Sequence, residues 1–344
     1  MKTITIVGGG LAGLSLGIGL RQRGIPVIVW EAGHYSRHRV CGEFISGSGQ
    51  DTVARLGLVD SLFAAGASMA RSAAFFSART RFPARPLALP AWCISRFTLD
   101  ALLADHFRKS GGELRENQRW QNNDIQDGAI RASGRRAQPV EAGYRWFGLK
   151  VHAKNVPLEA DLEMHLSGNG YVGICRLKNE EVNVCGLFRR PAKTREQVQP
   201  WQQTLLGNPG SLLHERLSGA VLDESSFCSV AGLSLQPRSA LSMAECCLGD
   251  SLTMIPPVTG NGMSMAFEAA ELAMEPLADY SRGQCSWTQA QRNVARSCDS
   301  AFRRRLAWAK WLQRLMFAPV FQESLAPLIL RSAWLWRLMF ANTR

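Results

Sequence analysis

The sequence predicts an α/β fold with a parallel sheet, an inserted antiparallel sheet and a helical C-terminal region. Three observations carry this. A β-type run, a glycine-rich turn, an apolar helix and a second β-type run follow one another from Lys2 to Glu31. A meander of short β-type runs lies between Tyr144 and Phe188, and a second glycine-rich turn opens a long helix near Met263.

The first stretch, KTITIVGGGLAGLSLGIGLRQRGIPVIVWE, places Ile4, Ile6 and Val7 before Gly8, Gly10 and Gly13, which fit G-x-G-x-x-G. The helix is closed by Gly24 and the next strand, Val27 to Trp30, ends in an acid. Strand, turn, helix, strand and acid together make a Rossmann-like dinucleotide site rather than a chance motif match. Gly8 permits the tight turn, Gly10 lets a pyrophosphate approach the backbone, and Gly13 lets the helix lie close on the sheet. The amides at Leu11 and Ala12 and the partial positive charge of the helix N-terminus suit phosphate. Glu31, followed by Ala32, stands 23 residues after Gly8, placed for an adenosine ribose. An acid there favours a free 2′-hydroxyl, as in FAD or NAD.

Bulk properties narrow the field. A 344-residue chain with 46% hydrophobic and 20% charged residues is globular. Nine cysteines without regular spacing argue against a disulfide framework and for a reducing compartment, and no pair has zinc-ligand spacing. A strand beginning at residue 3 leads to the expectation of a cytoplasmic protein. Over half of the net charge of +12 lies after Ala301, where eight Lys and Arg face Glu323 alone. No nucleic-acid motif accompanies that charge, so no nucleic-acid partner is expected. Peripheral contact with anionic lipid, or helices packed on the protein's own pocket, are the readings for this tail. No uncharged run there is long enough to cross a bilayer.

Between these landmarks, Arg37 to Gly49 reads as a loop leading into a helix near Gln50. Arg37 and Arg39 are placed to meet pyrophosphate. Cys41-Gly42-Glu43 admits two readings: Cys41 faces a cofactor ring while Glu43 moves protons, or Cys41 packs as a small hydrophobe while Glu43 caps or pairs with an arginine. Arg79 to Trp92 is an edge strand or loop. Thr98 is expected to cap an amphipathic helix ended by Gly111-Gly112, with Arg96 just before it, free for a phosphate or paired with Asp100. Trp120 to Pro139 reads as polar turns. The meander follows as Tyr144–His152, Leu162–Leu166, Tyr171–Leu177 and Val182–Phe188, with SGNG and KNEE as turns. Arg189 to Leu217 reads as helix broken at Asn208-Pro209-Gly210. His152, His165 and His214 read as isolated packing residues. Gly249-Asp250 follows an apolar run, and Pro257, Gly260, Asn261, Gly262 and Met263 form the second turn. That turn makes another anion site at a helix start, with Asp250 an acceptor for sugar hydroxyls.

These pieces resemble the FAD-dependent oxidoreductases of the p-hydroxybenzoate hydroxylase and geranylgeranyl reductase superfamily, most strongly over residues 3–50, 94–103 and 247–273. The resemblance implies a Rossmann-like FAD-binding domain (1–75, 94–140 and 240–280), an inserted antiparallel β-sheet substrate domain (76–93 and 141–239) and a helical C-terminal region (281–344). It implies that Gly8, Gly10, Gly13 and Glu31 hold the ADP half of FAD and that Arg96 reaches the pyrophosphate. Asp250, beside Gly249, would bind the ribityl chain, and Pro257 to Met263 would cover the isoalloxazine edge. Arg39, Cys41, Gly42 and Glu43 look like the Arg-x-Cys-Gly segment of the reductase-like branch. The counterpart of the hydroxylases' Asp-Gly motif reads Ser133-Gly134-Arg135-Arg136, and the halogenase motifs have no convincing match. With no second nucleotide unit, NAD(P)H would visit only transiently as electron donor. The implied activity is a monooxygenase of secondary metabolism, inserting oxygen from O2 through a flavin C4a-hydroperoxide into a lipophilic, aromatic or polyketide-like small molecule. The alternative is a reductase of carbon–carbon double bonds in an isoprenoid or other lipid. A third reading is a flavin-binding protein docked on a membrane through its tail. Cys41 and Glu43 are the candidate catalytic residues.

Overall fold

The first half-turn of the fold follows directly from residue size. In the computed structural model, β1 (Ile4–Val7) enters a glycine turn and leaves as α1 (Leu11–Gln22), which returns as β2 (Val27–Trp30). The structure describes residues 1–121, 126–193, 200–318, 332 and 334. The chain continues through β3 (Phe44–Ile45), α2 (Ser48–Arg55), α3 (Val59–Ala64), β4 (Ser68–Phe76), β5 (Arg85–Cys93), α4 (Arg96–Lys109), β6 (Glu113–Arg115) and β7 (Ala129–Arg131). It then forms β8 (Tyr144–Lys154), β9 (Leu162–Ser167), β10 (Gly170–Arg176) and β11 (Val182–Pro191). The last elements are α5 (Trp201–Leu206), α6 (Leu212–Leu217), β12 (Val221–Ala231), β13 (Cys246–Cys247), α7 (Gly262–Ser281) and α8 (Trp287–Met316).

Two sheets result. The first has order β13-β7-β1-β2-β6, with every pair parallel. The chain leaves β1 toward β2 on one side while β7 and β13 add on the other, so the carboxyl end of β1 is a topological switch point, where open α/β sheets bind ligands. The second sheet has order β12-β8-β11-β10-β9-β4-β5-β3 and is antiparallel except where β4 runs parallel to β9. Helices α1, α4 and α7 pack on the first sheet and bury Leu14, Leu16, Leu20, Leu103, Phe107 and Phe267. Gly17 lets α1 meet α4 closely, since a Cβ there would come within 2.8 Å of the Phe107 ring.

Sequence and structure differ where elements are short or their faces are polar. The loop after Arg37 contains β3, which pairs with β5. The polar stretch from Trp120 hides β7, hydrogen-bonded directly beside β1. Two or three residues cannot display a period, so neither strand is visible in the pattern. Arg189–Pro191 extend β11 instead of starting a helix. The helical segments beyond are α5 and α6, and residues 194–199 lie outside those described. Strand β12 was not expected, because its Asp223-Glu224-Ser225-Ser226 half carries no apolar alternation. The cap of α4 is Ser95, whose Oγ accepts from the Thr98 N–H, one turn earlier than Thr98 itself. The basic tail up to Met316 forms the end of α8, which starts at Trp287 under a Ser286 cap. Most of the tail beyond residue 318 lies outside the described residues. Among the described residues no helix is long and apolar enough to cross a membrane.

Phe107 is fully buried and wedged against Gly17 and Gly112. Phe107→Ala is therefore expected to cost about 3–5 kcal/mol, read as a lowered denaturant midpoint with an unchanged slope.

Candidate functional site

The two glycine turns meet. Gly8 has φ +113°, and a Cβ on it would collide with the Ala132 backbone after β7. Gly13 lies so close to the Gly8 carbonyl that a Cβ there would also collide. Gly10 differs from both. A Cβ built on it meets nothing within 4 Å, so the start of α1 looks into open space. Leu11 and Ala12 are buried, but their amides belong to the first helical turn, whose N–H groups have no intrahelical acceptor. Gly249, at φ +59°, packs against this turn: a Cβ built on it would stand 3.1 Å from the Ala12 Cβ.

Glu31 is 5% exposed and its carboxylate is already engaged. Oε2 accepts the Gly9 N–H at 2.9 Å, while Oε1 accepts the Gly33 N–H at 2.9 Å and pairs with Arg37 at 2.5 Å. Arg37 thus holds Glu31 rather than standing free for a diphosphate. Oε2 retains a lone pair for a sugar hydroxyl, next to exposed Ala32.

Cationic side chains converge on the cleft between the two turns. Asp250 presents surface to solvent but sits so deeply among protein atoms that burial raises its pKa, against Arg96, Arg135 and Arg238, which pull it down. Arg135 in turn is lowered by burial and by Arg39, and raised by Asp250. Arg96 is not free: it is the first residue of α4, and its guanidinium grips buried Asp100 at 2.7 and 2.9 Å. Arg39 takes the same carboxylate at 2.9 Å. One buried acid therefore aims two arginines. Burial opposes the charge on Arg96, but Asp100 beside it outweighs this and raises its pKa. At the start of α7, Asn261 is 1% exposed; its Oδ1 accepts from Ser46 Oγ at 3.0 Å, and its Nδ2 has no partner. Pro257 opens a single helical turn closed by Gly260 at φ +65°, and Gly262 and buried Met263 begin α7.

Behind the arginines lies a charged cluster. Glu43 adopts φ +60° and is fully buried. Its Oε1 accepts the Arg96 N–H at 2.9 Å and lies 3.5 Å from Lys150 Nζ; its Oε2 meets His152 Nε2 at 2.7 Å. Lys150, also fully buried, reaches His38 Nδ1 at 3.0 Å. Lys150 and His152 are two apart on β8 and share a face, opposite Cys185 and Asn183 of β11. A register shift in β12 lets Ser226 Oγ accept the His152 N–H at 2.7 Å. Asn183 Nδ2 donates to the Cys41 carbonyl at 2.9 Å, which seats the loop on the sheet. Cys41 is half-buried, and its thiol is pushed up by burial against the pull of Arg96, so it stays protonated rather than becoming a nucleophile. Gly42 is exposed beside it.

His152 is thus not the isolated packing residue the sequence suggested. Burial lowers its pKa, but hydrogen bonds to Glu181 and Glu43 outweigh this and raise it. His165 is paired as well, 2.9 Å from Glu163 and stacked on Phe76. Lys150, His38, Arg135 and Arg238 were missed. The signal for Lys150 was present: a lysine two residues before a histidine inside an apolar strand puts both on one buried face.

On the same sheet, an apolar patch continues toward the second turn. Tyr171, Trp146, Leu187, Leu233 and Leu235 cluster with Val258 and with Leu312 and Phe317 at the end of α8, and Phe44 and Met254 pack against them.

Residues 1–144 match the family of FAD binding domains. That stretch is an FAD-binding domain, and the fold of the whole chain is the one shared by the solved flavin enzymes it resembles. No curated protein matches the sequence. Among solved structures, the flavin-dependent brominase Bmp2 is similar at 18% identity and TM-score 0.77, covering 100% of this chain and 95% of that one. Halogenase PltM, solved as a mutant with FAD, is similar at 16% identity and TM-score 0.73, over 98% and 82%. PqsL of P. aeruginosa, solved with 2-aminobenzoylacetate, is similar at 17% identity and TM-score 0.69, over 93% and 100%. The residues present fit the cofactor: the space before Gly10, the arginines around Asp250 and the unpartnered Asn261 amide supply what a dinucleotide with a polar ring edge requires.

Gly10→Ala should fold with stability within about 0.5 kcal/mol of wild type but bind FAD about tenfold more weakly or worse, a loss of about 1.4 kcal/mol. Gly13→Ala should lower stability itself; calorimetry and FAD titration separate the two. Because the His152 pKa is raised on folding, its contribution to stability is full below the unfolded value near 6.5 and is lost as pH rises through the folded value. His152→Gln should therefore destabilise more at about pH 5.5 than at about pH 9 in urea titrations.

Proposed function

We propose that this protein is an FAD-dependent monooxygenase acting on a lipophilic, aromatic or polyketide-like small molecule. The observation that carries the reading is the match of residues 1–144 to FAD binding domains, with a buried apolar cluster of Tyr171, Trp146, Leu187 and Val258 beside a cleft whose charged walls suit FAD. In this reading, Gly8, Gly10, Leu11, Ala12 and Gly13 cradle the diphosphate, with Arg39 and Arg96 aimed at it by Asp100. Glu31 and Ala32 flank the adenosine ribose, and Gly249-Asp250 take the ribityl hydroxyls. Pro257, Gly260, Asn261, Gly262 and Met263 line the ring, the start of α7 offering partial positive charge and Asn261 Nδ2 a hydrogen bond. FAD, once reduced by NAD(P)H as a transient donor, would supply the dioxygen chemistry.

The chain's own work is orientation and exclusion of water. The apolar patch takes the substrate, with Phe44 and Val258 nearest the second turn. Glu43 and Cys41 form the wall behind Arg96, Glu43 as the proton-handling group and Cys41 as a protonated neighbour that shapes the wall.

The reductase alternative keeps one supporting observation, the half-buried Cys41 thiol against Arg96. Rapid mixing of anaerobically reduced holoprotein with dioxygen separates the readings. Monooxygenation predicts a transient absorbance matching neither the reduced nor the oxidised cofactor, lengthened by bound substrate. Direct, featureless reoxidation with and without aromatic substrates would favour the reductase. Asp250→Asn should leave folding intact and weaken FAD binding by about 1 kcal/mol or more, checked by fluorescence titration.

A further inference from the structure

The His152 imidazole stands between two carboxylates at different depths. Nε2 is 2.7 Å from Glu43 Oε2, which is fully buried, and Nδ1 is 3.6 Å from Oε1 of Glu181, which is about one-third exposed. An imidazole in this position accepts a proton on one nitrogen and releases another from the other, without turning over. Glu43 also bonds the backbone of Arg96, whose guanidinium neighbours Asp250 in the cleft. A line of titratable groups therefore runs from the wall of the cleft to the surface turn before β11.

The remaining groups around His152 set its charge. Lys150 on the same strand opposes a second positive charge; Asp223 on β12 lies near both His152 and His38. His38 stacks on Phe97 and meets the His152 ring edge-on, and burial together with Lys150 and His152 lowers its pKa. Lys150 so placed keeps His38 neutral and leaves the mobile proton to His152. A static ion pair would need only Lys150 against Glu43. The histidine adds a second donor to Glu43, and its outer carboxylate adds a path from that donor toward solvent.

We propose that Glu43, His152 and Glu181 form a proton relay between the cofactor cleft and solvent, with Glu181 as its outer end. The proposal rests on the reading of the cleft as the FAD site. Reoxidation of the bound, reduced anionic flavin by dioxygen defines the demand: reduced flavin, dioxygen and one proton give oxidised flavin and hydrogen peroxide. The proton enters at Glu181, passes through His152 and reaches Glu43 behind Cys41 and Arg96. Glu181 and His152 do not touch the cofactor, so both are positioning residues in this sense.

The test uses full-length, FAD-loaded protein and the variants Glu181→Gln, Glu181→Asp and His152→Gln. In dithionite-reduced samples mixed with oxygen, Glu181→Gln and His152→Gln should slow reoxidation on the order of a hundredfold above neutral pH and introduce a solvent deuterium effect. FAD affinity of Glu181→Gln should stay at the wild-type value, as should its melting temperature at alkaline pH, where His152 is neutral and the lost pairing no longer counts, and Glu181→Asp should recover most of the rate. Independently of turnover, nitrogen-15 NMR of the holoprotein should show the His152 titration midpoint fall in Glu181→Gln. Wild-type reoxidation, pH profile and isotope effect in folded, FAD-loaded Glu181→Gln would overturn the relay and leave the cluster a structural lock. Failure of the wild-type chain to hold FAD would instead remove the reading of the cleft. Should His152→Gln not fold, Glu181→Gln decides the matter alone.

Discussion

Burying the Glu43 carboxylate is the constraint on which the arrangement turns. An isolated charge at that depth costs several kcal/mol even after the protein relaxes around it. The chain meets the cost by bringing an amide from α4 and an ammonium and an imidazole from β8 to one carboxyl group. Those donors come from a helix packed on the first sheet and a strand of the second. Glu43 thereby fixes where the second sheet sits against the first, and with it the position of Cys41, Arg96 and the cleft wall. The same logic repeats at Asp100, which draws Arg39 and Arg96 together, and at Glu31, which ties the glycine turn to the loop after β2. Three buried acids, each with donors distant in sequence, organise the polar half of the site.

The apolar half is organised by exclusion. The meander turns one face to α5 and α6, burying Val151, Val172, Ile174 and Val184. Its other face is divided. Toward β12 it carries Lys150, His152, Asn183 and Cys185, and toward β10 it carries Tyr171 and Leu187, packed against Phe317 at the end of α8. A polar, titratable region and a buried apolar region therefore share one sheet, separated by a few residues along the strands.

Much of this was legible in the sequence because the signals were local. The first glycine turn, the four meander strands and the turn before α7 each announce themselves within a dozen residues, by glycine spacing or by period. The missing pieces were those whose meaning depends on partners far along the chain. β7 is central in the parallel sheet, but its three residues contain a single buried side chain, Ile130. Lys150 reads as a solvent residue until Glu43, more than a hundred positions earlier, is placed beside it. Arg96 illustrates the converse: of its two candidate partners, phosphate and Asp100, the structure shows Asp100, which holds the guanidinium in place.

The order in which strands enter the sheets has a consequence for the chain as an object to be cut or grafted. β3, β4 and β5 are made before α4, β6 and β7, whereas their sheet partners β8 to β12 come after, and β13 returns to close the parallel sheet. The two layers are thus interleaved along the polypeptide like alternating stitches. No single cut separates them into a fragment that keeps either sheet whole. Pairings of β4 with β9 and of β13 with β7 close loops of many tens of residues, a topology that folds slowly because the entropy of closure is lost before the contacts form. Exchange of substrate walls between such chains must therefore proceed by replacing several short segments at once, each returned to its own place in the sheet.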